Sequence, residues 1–218
     1  MKKTKVPAPV PVIAAALTMA AMLTSAAQAS GSAGRGLPDP NGADRKDPQV
    51  IALSPIEDNA LHESADGSNS SGQGSHLFVG NTGQGVIRRA VIEFDVAGSI
   101  PAGAEIDSVT LSLNMSRTSS GAQVVRLFQL SREWGEGGSN ADGNEGSGAP
   151  AEDGDATWLH TFYPDQLWSV PGGDFADTAS ASTSVSDLGR YEWSSDSSRP
   201  LPCRHHRCSC PTRLCQCR

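Results

Sequence analysis

Two groups of side chains in this 218-residue chain have types and spacing suited to chemistry. The first is aromatic: Trp134, Trp158, Tyr163 and Trp168 flank or follow one long loop. Flat rings set against the apolar face of a pyranose, with polar groups around the edge, make a sugar platform. Each ring taken singly is more at home in a core, the commoner fate of a tryptophan in a small domain. As a group they are the best candidate for a carbohydrate site. The second group is acidic. Asp142, Glu145, Asp153 and Asp155 lie within the loop Gly135 to Asp155. Calcium is a hard cation that takes several oxygen ligands, and a loop of carboxylates could clamp it. Counted from Asp142, Asn144 is third and Asp153 twelfth in a calcium-loop register. Gly146 stands where the fifth-position oxygen belongs, and Ser147 where the turn glycine belongs. The expectation is a solvated acidic loop, with a generic calcium clamp by these carboxylates as the alternative.

Catalytic readings have less to stand on. Glu133 and Glu136 could pair as acid and base for glycoside hydrolysis. They sit three residues apart on a Gly-rich loop, with no apolar pocket to move either pKa. His62, His76 and His160 are isolated in sequence, and no G-x-S-x-G, H-E-x-x-H or phosphate loop occurs. All five cysteines, Cys203, Cys208, Cys210, Cys215 and Cys217, fall in the last sixteen residues. Zinc favours two residues between paired cysteines, and here only one intervenes. The odd count also leaves a thiol over in any disulfide scheme. The expectation is a non-catalytic protein with no cofactor beyond calcium.

The elements that must hold these residues are strands. In Arg88 to Val96, Ala90, Ile92 and Phe94 alternate with Arg89, Val91, Glu93 and Asp95. In the run ending at Ser116, Val109, Leu111, Leu113 and Met115 alternate with Thr110, Ser112, Asn114 and Ser116. A period of two predicts a sheet with one buried and one wet side. Further strands are expected at Val50–Leu53, Asn59–Glu63, Leu77–Val79, Gln123–Leu130, Ala156–Tyr163 and within Ser180–Trp193. Trp168 to Phe175 is expected to be a turn with aromatic anchors. Short strands punctuated by Gly and Pro turns predict an all-β, jelly-roll-like antiparallel β-sandwich.

Domain limits follow from composition. Lys2, Lys3 and Lys5, the apolar stretch Val12 to Leu23 and the small-x-small pattern Ala27-Gln28-Ala29 form an export signal over residues 1–29, cut before Ser30. The apolar stretch is too short to cross a bilayer comfortably. Residues 30–47 are a flexible lead-in, 48–198 the sandwich, and 199–218 a Cys- and Arg-rich tail without carboxylates. Residues 30–198 carry all 24 Asp and Glu against nine Lys and Arg, a formal charge of −15. That excludes nucleic acid, which demands a basic face, and argues against anionic membranes once the signal is removed. The same stretch has no cysteine, so it must stand on packing alone.

The run Ile51 to Trp193 resembles the DNRLRE-domain family of secreted bacterial and archaeal proteins. The resemblance lies in EDNALHES (Glu57 to Ser64), LFVG (Leu77 to Gly80), RRAVIEFDV (Arg88 to Val96), IPAGAEIDSVTLSL (Ile100 to Leu113) and REWGEG (Arg132 to Gly137), in that order. GDATWLH (Gly154 to His160) and PGGDF (Pro171 to Phe175) look like a subgroup of the same family. The resemblance implies a jelly-roll sandwich that is secreted or displayed on the cell surface, as a non-catalytic module binding extracellular or cell-wall polysaccharide. A structural surface or matrix protein mediating protein contacts is the alternative. Members of that family continue past the YEW-like strand with a short helix and a closing apolar strand. Here Ser194 to Ser198 leads straight into the Cys/Arg tail, which reads as an out-of-frame end. The expectation is a sandwich lacking its closing strand, with an unpaired edge.

Overall fold

The alternation around Arg88 builds the two strands it predicts, and they organise the protein. The computed structural model describes residues 15–18, 49–104, 106–118 and 120–194, with only the backbone course given for 15–18. The expected cleavage site, the lead-in and the tail cysteines lie outside the described residues. Strands are numbered in chain order. The large sheet contains β1 (Ala15–Thr18), β2 (Glu57–His62), β4 (His76–Asn81), β5 (Ile87–Glu93), β6 (Thr110–Arg117) and β12 (Gly189–Ser194). Its spatial order is β12-β6-β1-β4-β5-β2, and every pairing is antiparallel. A second layer is the ribbon of β7 (Gln123–Leu127) and β11 (Ala181–Val185), also antiparallel. Two small pairs serve the loops: β3 (Asn69–Ser70) with β8 (Ala149–Pro150), and β9 (His160–Phe162) with β10 (Gln166–Leu167). The fold is all-β and sandwich-like, without a barrel.

The main core lies between the sheet and the ribbon. Leu77, Ile92, Leu111, Leu113, Met115 and Trp193 meet Val185 there, with Val125 and Leu127 packed against them. Their spacing within each strand is two, so one face of each strand supplies the core. The Trp193 indole N–H donates to the Val125 carbonyl at 3.0 Å, which ties the two layers together. The hairpin between β4 and β5 closes through Thr82, whose backbone pairs with Val86 at 2.8 Å and whose hydroxyl accepts from the Gln84 and Val86 amides. Gly85 makes that turn possible at φ +80°, where a side chain would be strained.

The expected wet side holds for β6 only in part, since Ser112 is 1% exposed, and fails for β5. Asn114 and Ser116 are exposed on the back of β6. Behind β5, by contrast, Val91 is 4% exposed and packs with Leu61, Leu130, Trp134, Ala156, Trp158 and Trp168 in a second core. The segment after Leu130 folds back over β2 and β5, so both faces of β5 are covered. Val50–Leu53 does not pair as a strand, although Leu53 is buried. The chain leaves β5 at Glu93 and enters the short helix α1 (Val96–Ser99), capped by the Asp95 carboxylate accepting from the Gly98 amide at 2.7 Å.

The outer strands of the large sheet are β12 and β2, and its centre is paired on both sides. β4 and β6 do not pair with each other. The place between them holds β1, with Ala16 opposite Phe78 and Leu17 opposite both Leu77 and Met115.

Candidate functional site

The structure brings the three tryptophans together, but inside the protein. Trp134, Trp158 and Trp168 are 2%, 7% and 5% exposed and belong to the second core. Their rings cover Leu61 and Val91 rather than forming a surface platform. The Trp168 indole donates to the Thr157 carbonyl at 2.9 Å. Tyr163 stands apart from them, half-buried, with its ring edge-on to His160 at 5.0 Å.

The four loop carboxylates are not gathered round one point. Asp142 and Asp153 are exposed, whereas Glu145 lies 3.0 Å from His76 Nδ1. Asp155 is fully buried and accepts from the Glu152 amide at 2.7 Å and the Ser139 amide at 3.4 Å. Among the described residues no three His, Cys, Asp or Glu side chains converge as metal ligands would. The reason is that the long loop is a packed element, not a solvated one. Ala156 donates to the Gly135 carbonyl, Gln73 to that of Ser139, and Ala151 to that of Ser68. A Cβ on Gly137 would fall against the Asp155 carboxylate. Of the two glutamates weighed for hydrolysis, Glu133 is exposed, and Glu136 accepts from the Asp58 amide at 3.1 Å.

A different site is built where the chain after Leu130 meets the turn Ser169 to Asp177. It is an open cleft of about 630 Å³, edged by Arg89, Ser131, Arg132, Ser169, Asp174 and Phe175. The local sequence dictates its form. Leu130 bridges to Phe175, and the Ser131 amide and hydroxyl both donate to the Asp174 carbonyl at 3.0 Å. The turn bends at Gly172 and Gly173, with φ +88° and +110°. The Gly172 amide donates to the Trp158 carbonyl at 2.6 Å, and its own carbonyl accepts from Arg89 Nη1 at 2.6 Å. A Cβ there would lie 2.6 Å from the guanidinium and 2.7 Å from the Trp158 ring, so only glycine fits.

Two features give the cleft its chemistry. Arg89 places its guanidinium carbon 4.8 Å from the centre of the Phe175 ring and 5.0 Å from that of Trp158, a cation held between two aromatic groups. Phe175 nonetheless remains 37% exposed. The second feature is Asp174. Its carboxylate accepts from the Ser169 and Val170 amides at 2.9 and 3.0 Å and lies 3.4 Å from Arg132. Burial pushes its pKa up, but these hydrogen bonds outweigh burial and hold it below the ordinary carboxylate range. It is therefore a fixed anion at neutral pH. The cleft thus combines an exposed ring with a serine, a carboxylate and forked guanidinium donors, all held by backbone contacts. Behind the Arg89 stack lies an apolar pocket of about 290 Å³, lined by Leu113, Val125, Leu127 and Phe128 among others.

Reasoning from sequence misses Arg89, because alternation puts it on the wet face of a strand. Phe175 and Asp174 carry a fainter signal, the PGGDF turn. Comparison with known proteins finds no matching family model, no similar curated protein and no similar solved structure.

Proposed function

We propose that this protein is a secreted, non-catalytic β-sandwich module that binds extracellular or cell-wall polysaccharide in the cleft at Phe175. One observation carries the reading: a partly exposed aromatic ring at the edge of an open groove, beside side chains that pair with hydroxyls. A pyranose has an apolar C–H face and a rim of hydroxyls. The ring suits the face, and the carboxylate and guanidinium suit a pair of neighbouring hydroxyls, one as acceptor and one as forked donor. Specific sites owe their orientation to a few such placed groups. The export signal and the resemblance to the DNRLRE-domain family support the same conclusion. The tryptophans serve from beneath, since Trp158 supports Arg89 and the Gly172 turn.

Affinity gel electrophoresis against a panel of bacterial and plant polysaccharides tests this. At least one polymer should retard the protein, and Phe175→Ala should weaken that retardation tenfold or more without moving the unfolding midpoint by more than a few degrees. A folded protein that no polymer retards would remove the proposal.

A second reading, a surface or matrix protein that makes protein contacts, is favoured by the way the large sheet is completed at β1.

A further inference from the structure

The sheet and the ribbon leave a gap beside Arg89. β4 and β5 pair only at Gly80 with Arg88 and at Asn81 with Ile87. Beyond that short ladder the apolar pocket of about 290 Å³ opens, between Val79 on one strand, Ala90 on the other, and Val125 and Leu127 of the ribbon. Arg89 edges the same pocket, together with Gly172 and Phe175. We propose that this pocket is a second binding site, for a small apolar carboxylic acid: its hydrocarbon part lies among the aliphatic side chains, and its carboxylate meets the Arg89 guanidinium. The site is distinct from the glycan cleft and does not rest on that reading.

Size and lining specify the hydrocarbon part. Folded interiors carry few voids larger than a water molecule. An apolar void stays dry and takes up apolar molecules, and about 150 Å³ is enough for benzene. Nearly twice that volume holds roughly ten non-hydrogen atoms. Among the described residues the only polar ones lining the pocket are Arg89 and Arg126, so the hydroxyls of a second sugar would go unpaired there. Arg89 specifies the head group. A guanidinium has five N–H donors. Among the described residues this one makes a single hydrogen bond, to the Gly172 carbonyl at 2.6 Å. The Phe175 and Trp158 rings cover it and leave the edge of the fork. The chain holds 24 Asp and Glu, yet none of the described ones forms an ion pair with Arg89. Glu63, whose charge acts on it, is committed to the Ile87 amide at 2.7 Å. A planar fork matches a carboxylate through two parallel hydrogen bonds, which no hydroxyl reproduces. Partial burial has already stripped water from the guanidinium, and its lowered pKa reflects that loss.

Isothermal titration calorimetry on the full chain at pH 7 tests this with octanoate, and with 1-octanol as the uncharged control. Octanoate should bind one per chain, at least tenfold more tightly than 1-octanol. Shortening the acid to hexanoate should weaken binding roughly fourfold for each methylene removed. Arg89→Gln, which keeps a donor for the Gly172 carbonyl but carries no charge, should bring the two affinities together. Ala90→Leu, with a longer side chain in the pocket wall, should remove uptake of both compounds. No saturable binding of octanoate to the folded parent protein would overturn the proposal, as would equal affinity for acid and alcohol. So would octanoate binding that either substitution leaves unchanged. Retardation by a polysaccharide in a protein that takes up no octanoate removes this site and leaves the glycan cleft standing.

Discussion

Replacing Asn59 by alanine is expected to lower the unfolding free energy by about 3–4 kcal/mol. Asn59 is fully buried on β2, where the strand meets the loop after Trp134. Its amide nitrogen reaches Ser70 Oγ and the Glu136 carbonyl at 2.9 Å and the Ala156 carbonyl at 3.3 Å. Its oxygen accepts from the Ser71 amide at 3.1 Å. One side chain therefore holds three separate stretches to the sheet. Truncation removes these partners at once and leaves buried backbone groups unpaired, at about 1–3 kcal/mol each. Asn59→Asp is expected to be about as damaging, because a carboxylate cannot donate to the two carbonyls. For a domain of this size, about 3 kcal/mol corresponds to a fall of roughly 10 °C in midpoint. Urea unfolding of both variants checks this. Losses under about 1 kcal/mol would mean that the loop is not held by this residue.

The second large effect is an acid response with two opposed parts on one strand. His62 is 1% exposed, and neither ring nitrogen has a hydrogen-bond partner in the protein among the described residues. Burial, and then the nearby Arg88 charge, lower its pKa from 6.5 to about 4. The unfolded chain thus takes up a proton near pH 6.5 that the folded protein refuses until about pH 4. The neutral ring's contribution is complete above pH 6.5 and is lost as pH falls through that window, by about 3 kcal/mol in all. Asp58 works the other way. Burial first, and the Glu136 charge second, raise its pKa from 3.8 to about 6. The folded protein holds that proton, so stability from Asp58 is complete below pH 3.8 and is lost as pH rises to about 6. Asp58 is only partly buried, so solvent screening leaves about 1–2 kcal/mol.

The intact protein should therefore show a shallow slope between pH 4 and 6.5. Asp58→Asn should steepen the loss of stability on acidification. His62→Leu should reverse the sign relative to the parent, so that its deficit shrinks as pH falls. Differences between unfolding curves measured at pH 4.5, 5.5, 6.5 and 7.5 cancel the other titrating groups. Parallel curves for all three proteins would show that neither group is coupled to folding.

Much of the sheet is legible in the sequence because one rule governs it. Leu111, Leu113 and Met115 repeat every second residue, and a strand with one covered face leaves no other arrangement. The same rule misleads at Arg89 and Val91. Periodicity records which residues alternate, not whether a distant loop will fold over the polar set, and here the loop after Leu130 does so. The tryptophans illustrate a related limit. Their clustering around the long loop is real, but spacing cannot tell a ring that covers a core from a ring that faces water. The acidic loop reads as solvated because its composition is polar. Asn59, Ser139 and Asp155 bury it by pairing its backbone, and such pairing leaves no periodic trace. Arg89 is far in sequence from Asp174 and Phe175, and it meets them where Leu130 bridges to Phe175 and the Arg89 guanidinium donates to the Gly172 carbonyl. No local pattern encodes that meeting. The place of β1 is the extreme case, since its composition speaks for export and its position for a sheet.

The measurement closest to the central claim is an amide-resolved NMR titration with oligosaccharides cut from whichever polysaccharide retards the protein. The account predicts that the amides of Ser131, Arg132, Ser169, Asp174 and Phe175 shift together and saturate with one affinity. It also predicts that Phe175→Ala abolishes those shifts. Saturable shifts confined to another face, with the amides around Phe175 unmoved, would contradict it.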